Sequence, residues 1–308
     1  MKNVEVIIPL LNEYESFGEL TKRLKVVKDS LINEEVELKV TFVNDGSDND
    51  FKLIVNNFCK ENIGFNCINL TRNFGHQNAL RAGVESSNSD AAIFIDGDLQ
   101  DPPELIIDLI KYWQNGYHHV VCVRKSRKKE SLVKKLTAKY YYIIFKKFAN
   151  FEVTKNAGDF RLIDKWIIDE IKGINEYDLY LRGFIDSLGA KFKKIYYTRD
   201  PRFGGKAKYN YSQSIKLALN GLFSLTDIFS KILNWLLFVS LFISFVLVTY
   251  IFTSVLFFDN SLVRGWASIM MVLMLVLITQ IFTFIYISFN LRKINNQTSN
   301  KKNYQIEK

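Results

Sequence analysis

Cysteine and histidine are scarce, with three of each in 308 residues. Cys59, Cys67 and Cys122 form no ligand-spaced cluster, and their odd number reads as free, packed thiols rather than a disulfide framework. His76, His118 and His119 are too few and too scattered for a zinc site. No G-x-G-x-x-G follows the first strand pattern and no G-x-x-x-x-G-K-[ST] occurs, which excludes a standard dinucleotide fingerprint and a P-loop. A nucleotide would have to be held by a carboxylate-bound metal, backbone groups and basic side chains. No signal peptide is expected, since Met1-Lys2-Asn3 leads directly into a short strand pattern. Charge is absent from two long stretches, Ile232–Phe258 and Trp266–Phe289.

Each uncharged run is long enough to cross the ~30 Å hydrocarbon core, which takes about 20 residues of helix. Only Asp259–Gly265 separates them, so a tight transmembrane hairpin is expected, with a pair of buried core helices as the alternative. Lys231 precedes the first run and Arg292 and Lys293 follow the second, against a single Arg264 in the loop. That asymmetry places both ends, and the domain before them, on the cytoplasmic side. The hydrophobic fraction of 48% conceals this contrast, because residues 1–225 look globular. The net charge of +9 is compatible with nucleic acid, but the cations flank the apolar tail or sit among aromatics, which fits a membrane surface better.

The positive features centre on one stretch. Ala91–Ile95 is apolar without alternation, as in a buried parallel strand, and it ends at Asp96-Gly97-Asp98. Asp101 as N-cap, Pro102 and Glu104 spell a helix start, followed by an apolar face of Leu105, Ile106, Leu109, Ile110 and Trp113. Strands are expected at Val4–Pro9, Val36–Val43, Phe65–Leu70 and His119–Val123, with helices between, giving β-α alternation and a parallel sheet. The loops after the strands then bring Asp45, Arg72, Asp96 and Asp98 to one crevice, where open α/β sheets bind ligands. Hard divalent cations favour carboxylate oxygens together with substrate phosphates. Beyond Val123, a basic aromatic helix is expected over Leu132–Phe151, and a strand or turn at Asn156–Leu162 brings Asp159 close to Arg161. Arg199–Tyr209 reads as a glycine-containing basic loop able to close over phosphates.

A metal at Asp98 would bridge the two phosphates of a nucleotide-sugar, with Arg202, Lys206 and Lys208 adding positive charge. A lipid phosphate acceptor would need orientation and screening more than a strong base, since its nucleophile is already anionic.

Six pieces in order carry a resemblance: Ile8-Pro9 with Asn12-Glu13, Val43-Asn44-Asp45-Gly46-Ser47, Arg72-Asn73-Phe74-Gly75-His76-Gln77, Asp96 through Glu104, Gly158-Asp159-Phe160-Arg161-Leu162, and Arg182-Gly183. The chain resembles, over roughly residues 3–290, the GT-A-fold family 2 glycosyltransferases that act on polyprenyl phosphates. These include dolichol-phosphate mannosyltransferases and bactoprenol (undecaprenyl-phosphate) glucosyltransferases. The resemblance implies an α/β GT-A (nucleotide-diphospho-sugar transferase) domain with a C-terminal two-helix transmembrane hairpin. Residues 1–207 would be the cytoplasmic catalytic domain, 208–230 a juxtamembrane amphipathic helix, 231–290 the two spans and 291–308 a disordered polar tail.

It also implies roles. Pro9, Glu13, Asp45, Arg72 and Asp96 would bind the nucleotide-sugar, with Asp98 the ligand of Mg2+ or Mn2+. Asp159 would be the catalytic aspartate, as base or as orienting group, acting with Asp96 and with Gln100 beside the phosphates. Arg124, Arg161, Arg202 and Lys206 would bind the lipid phosphate or diphosphate. The expected reaction is inverting transfer of one sugar, glucose from UDP-glucose, to undecaprenyl phosphate, giving a β-linked polyprenyl phosphate sugar. The expected setting is the bacterial inner membrane, with two spans and no nucleic-acid partner. A flippase and a downstream glycosyltransferase would carry the sugar to O-antigen, teichoic acid or another envelope glycan. Tetramers are known in the branch, although this sequence shows no oligomerisation signature.

Two departures stand out. The family's aspartate pair in the nucleoside-binding turn is here Asn44-Asp45, from which altered geometry rather than lost function is expected. No Q-x-x-R-W of the processive synthases occurs, which favours a single transfer per acceptor. The motifs leave the sugar open: galactose, mannose, N-acetylglucosamine and aminoarabinose are alternatives, since one hydroxyl contact decides. A different lipid acceptor, or a scaffold that binds nucleic acid, are the rivals further away. Some residues carry plainer readings: Gly75 and Asp159 as turn residues, His76 as structural, Asp101 as a helix cap, and Arg161 and Arg182 as ion pairs.

Overall fold

Mostly buried runs, alternating only over the first half of β2, place β1 (Lys2–Leu10), β2 (Val36–Asn44) and β4 (Ala91–Phe94) within a sheet covered on both faces. The computed structural model describes residues 1–125, 154, 157–174, 179–201 and 203, parts of 231–253, and residues 266–298 and 303–307. The expected basic aromatic helix at 132–151, the juxtamembrane helix at 208–230, and Arg202, Lys206 and Lys208 lie outside the described residues. The chain divides into two units, Met1–Leu225 with Lys302–Lys308, and Thr226–Lys301.

In the first unit, β3 (Phe65–Asn69), β5 (His119–Arg124), β6 (Ala157–Asp164) and β7 (Phe192–Tyr197) complete a sheet of order β3-β2-β1-β4-β6-β5-β7. The strands from β3 to β4 run parallel, as expected. The sheet is nevertheless mixed, because β6 pairs antiparallel with both β4 and β5. That insertion sets Asp159, near the start of β6, beside the exit of β4.

Helices α1 (Tyr14–Leu31), α2 (Asn49–Glu61) and α4 (Leu105–Gln114) cover one face. Phe17, Phe42, Phe58 and Phe65 pack there edge to face or stacked. Helices α3 (His76–Ser86), α5 (Lys165–Gly173) and α6 (Leu181–Ser187) cover the other. Gly83 lets α3 lie directly on the sheet, since a Cβ there would meet Ile7 Cγ2 at 2.3 Å.

The capping box read at Asp101–Glu104 is not formed. Helix α4 starts at Leu105 with no side-chain cap, and Glu104 pairs with Arg23 of α1 instead. Asp101 is fully buried and held by three long-range donors, which a helix cap could not satisfy.

The polar tail expected to be disordered over 291–308 also differs. Leu70 bridges Ile306 in antiparallel sense, Thr71 N–H donates to Gln305 O at 3.0 Å, and Glu307 N–H donates to Asn69 O at 2.8 Å. Tyr304 is buried, its hydroxyl 2.5 Å from Glu85 Oε2, and Glu307 pairs with Lys52. The segment shields the exposed edge of β3, where backbone groups would otherwise lie unpaired. Tyr304→Ala is expected to cost about 3 kcal/mol, as for other buried aromatics cut to alanine. Chemical denaturation checks this, and an unchanged midpoint would show that the strap contributes no stability.

The second unit corrects the expected hairpin. Helix α7 spans Trp266–Thr298, and residues 234–236, 238–243 and 245–246 are helical. Leu236, Val239 and Ile243 share an apolar cleft with Leu275, Ile278 and Phe282. Among the described residues, however, no helix is long and apolar enough to cross a membrane. The transmembrane hairpin, and with it the two-span inner-membrane localisation, is therefore not supported. Lack of charge is a weaker condition than continuous apolarity. Thr279, Gln280, Thr283, Ser288 and Asn290 punctuate α7, and Thr279, Thr283 and Asn290 bond back to carbonyls of their own helix.

Candidate active site

The crevice lies at the carboxyl ends of β1, β2 and β4, as the alternation predicts. Asp45 follows β2, buried, and its carboxylate accepts from Phe74 N–H at 2.7 Å and Gly75 N–H at 3.0 Å. Burial pushes its carboxyl up, and those two bonds and His76 pull it back only in part. The next residue must be glycine. Gly46 has φ +70°, and a Cβ there would lie 2.3 Å from the Arg72 carbonyl carbon and Asn73 N. Asn44 donates from Nδ2 to Asn69 Oδ1 at 2.9 Å and accepts Ser47 N–H at 3.0 Å. A carboxylate has no donor for the first of these bonds, so the departure at this turn has a structural use. Pro9 is buried in β1 opposite Val43, Glu13 sits at the N-cap of α1, and the exposed Arg72 lies over Phe74 at 4.5 Å.

Two carboxylate centres face each other across the crevice. In the first, Asp159 is 3% exposed and receives Arg182 through Nε at 2.5 Å and through Nη2. His76 Nε2 lies 2.9 Å from its Oδ2, and Gln77 Nε2 donates to its Oδ1 at 3.2 Å. Burial alone would raise the Asp159 carboxyl, but the Arg182 guanidinium and the His76 contact hold it well below the usual carboxylate range. For His76, burial opposes charging, yet Asp159 and Asp96 outweigh it and raise its pKa. Asp159 is thus an ionised acceptor, already crowded with donors.

In the second centre, Asp96 and Asp98 follow β4. Gly97 between them packs against β1, since a Cβ would meet Leu10 Cδ2 at 2.5 Å. Asp98 Oδ1 accepts Gln100 N–H at 3.1 Å. Asp96 is pushed up to about 6, first by burial and then by the neighbouring Asp101, Asp159 and Asp98, against a lowering by His76. Its Oδ1 is buried without a hydrogen-bond partner, 3.4 Å from His76 Nε2. Behind the pair, Asp101 accepts from the Tyr197 hydroxyl, from Arg199 Nε at 3.2 Å and from Arg124 Nη2 at 3.4 Å. Gln100 Nε2 donates to Asp200 O at 3.4 Å.

The residues fit a hard divalent ion. One oxygen of Asp96 has no hydrogen-bond partner, and single ligand atoms of His76, Asp96 and Asp159 lie within 4.8 Å of one another. Asp159 of this trio also receives Arg182, and Asp98, two residues from Asp96, is not part of it.

The structure brings Asp45, Asp96, Asp98, Gln100 and Asp159 to the crevice, with Arg124 behind it. It removes Arg161, which is 1% exposed and paired with Asp186 at 3.2 Å, the ion-pair alternative of its two readings. Sequence reasoning did not assign roles to Gln77, Tyr197 or Arg199. Gln77 closes one of the six resembling pieces and the basic loop pattern pointed at Arg199, whereas nothing local marks Tyr197.

A parallel-centred sheet with a D-x-D pair at the end of its fourth strand, opposite a buried aspartate, is the arrangement that the resemblance to GT-A glycosyltransferases with nucleotide-sugar donors implies. The sequence profile described as "Glycosyl transferase family 2" matches residues 5–172. The chain is 34% identical over 272 residues to "Uncharacterized glycosyltransferase YkcC" of Bacillus subtilis (strain 168), covering 88% of this chain and 82% of that one. It is 30% identical to the "Prophage bactoprenol glucosyl transferase homolog" of Escherichia coli (strain K12), over 87% of this chain and 86% of the relative. Against the "SfII prophage-derived bactoprenol glucosyl transferase" of Shigella flexneri it is 29% identical over 99% of this chain and 97% of the other. The chain belongs to glycosyl transferase family 2, and within it is related to the bactoprenol glucosyl transferases.

Proposed function

We propose that this enzyme transfers one glucose from UDP-glucose to undecaprenyl phosphate with inversion, giving a β-linked glucosyl phosphoryl lipid. The carrying observation is that the Asp159 carboxylate is saturated by Arg182, His76 and Gln77. A carboxylate held ionised by three donors is a weak base. An acceptor that must lose a proton to attack would be poorly served, whereas a phosphate monoester arrives already anionic. The same cluster leaves Arg182 and His76 beside the attack line, where they screen one anion from another. Relatedness to bactoprenol glucosyl transferases supports the lipid and the sugar.

On this reading an acceptor phosphate oxygen forms a bond to the anomeric carbon as the bond to the nucleotide's β-phosphate oxygen breaks, and UDP leaves with the electron pair. Asp96 and Asp98 would hold Mg2+ or Mn2+, which when bound supplies charge neutralisation at the leaving diphosphate. Asp45 keeps the 71–75 loop closed under the nucleoside, and Gln100 orders the turn after Asp98.

Purified enzyme with undecaprenyl phosphate, Mg2+ and a panel of UDP-glucose, UDP-galactose, UDP-N-acetylglucosamine, UDP-aminoarabinose and GDP-mannose tests the reading. One glucosyl phosphoryl undecaprenol, identified by mass spectrometry, is the expected product. A different sugar on the same lipid overturns the donor assignment. Donor hydrolysis with the lipid untouched overturns the acceptor.

A further inference from the structure

The Asp96–Asp98 pair already has a cation beside it. Arg199 Nη2 lies 3.6 Å from Asp96 Oδ2 and 4.0 Å from Asp98 Oδ2, while its Nε bonds Asp101 at 3.2 Å. The first two distances are too long for hydrogen bonds, whereas the third is within range. One end of the guanidinium is therefore anchored behind the site, and the other reaches the carboxylates through charge alone. The backbone cannot carry Arg199 far away, because Asp200 N–H donates to Gln100 O at 3.1 Å and Gln100 N–H is itself bonded to Asp98.

We propose that Arg199 is a resident counter-ion of the metal site, competing with the divalent cation until a nucleoside diphosphate arrives. The proposal rests on the reading of Asp96 and Asp98 as the metal-holding pair. Formal charges carry the argument. Asp96, Asp98 and Asp101 bring three negative charges, and Arg124 and Arg199 return two. A divalent ion added to this set leaves it at plus one, so metal binding alone is opposed by the guanidinium. The same surplus attracts a diphosphate, so metal and nucleotide favour each other's binding, a coupling that is reciprocal. Metal would then bind mostly together with the donor.

The test uses the full chain and Mn2+, with free ion read by electron paramagnetic resonance, without nucleotide and with UDP. Arg199→Gln is expected to bind Mn2+ alone about tenfold tighter than wild type, a modest figure because solvent screens the partly exposed guanidinium. Its gain in Mn2+ affinity on adding UDP should shrink by a similar factor. Arg199→Lys keeps a charge but loses the fork that spans Asp101 and the pair, and about threefold tightening is expected from that weaker hold. This second variant decides the matter if the glutamine variant does not fold. Unchanged or weaker Mn2+ affinity in a folded Arg199 variant overturns the proposal, provided Asp98→Asn loses Mn2+. If neither wild type nor variants bind Mn2+, the counter-ion role and the metal assignment fall together.

Discussion

Asp98→Asn loses sugar transfer by about 10^3-fold or more, the size expected when several kcal/mol of charge stabilisation at the leaving diphosphate is removed. The substitution is close to isosteric. Its amide oxygen can still accept the Gln100 N–H that Asp98 Oδ1 accepts now, so the turn should keep its shape. The thermal midpoint should therefore barely move while kcat/KM collapses. A loss confined to KM would mean that Asp98 contributes only to donor binding. Retention of more than a tenth of wild-type kcat/KM would remove Asp98 from the catalytic machinery. Asp96 is a less clean target, because His76 and Arg199 both face it and its replacement would disturb two neighbouring centres.

The D-x-D pair was legible because two independent signals coincide at it. An apolar run marks a buried strand, and the sheet topology puts ligands at its carboxyl end. The partners of these carboxylates were not legible in the same way. His76 and Asp159 stand 83 positions apart, and Asp159 and Arg182 stand 23 apart, so no local period ties them together. Asp101 shows the opposite failure. Its local pattern spells a helix cap, and three donors from β5, β7 and the residues just beyond β7 outweigh that preference. The tail was misread because overall polarity hid a short alternation. Tyr304 and Ile306 are two residues apart and join the protein at the edge of β3, the pattern of a strand rather than a disordered end. The hairpin was expected from two uncharged runs dominated by Leu, Ile, Val and Phe, yet among the described residues no helix is long and apolar enough to cross a membrane.

The Asp159–Arg182 pair carries the second large effect, and it falls on stability as well as on chemistry. Arg182→Met strands an ionised carboxylate that is only 3% exposed, leaving it the His76 and Gln77 contacts. Breaking a buried pair in this way costs about 3–5 kcal/mol, and the lower end applies here because the arginine side chain is 27% exposed. The pH dependence has a definite sign. The folded Asp159 carboxyl lies well below its ordinary value, so its stabilisation is present above the unfolded carboxylate range and is lost as pH falls through the folded value. Without Arg182 that folded value rises, and acid unfolding should begin at higher pH than in the wild type. Adding Asp159→Asn to Arg182→Met removes the stranded charge, so the double variant should be more stable than Arg182→Met alone near neutral pH. Denaturant titrations of the four proteins across about pH 2 to 7, which brackets the ordinary carboxylate range near 4, would give the coupling directly. Additive costs in that cycle would show that the two side chains do not stabilise each other, and Asp159 would then be available as a base after all.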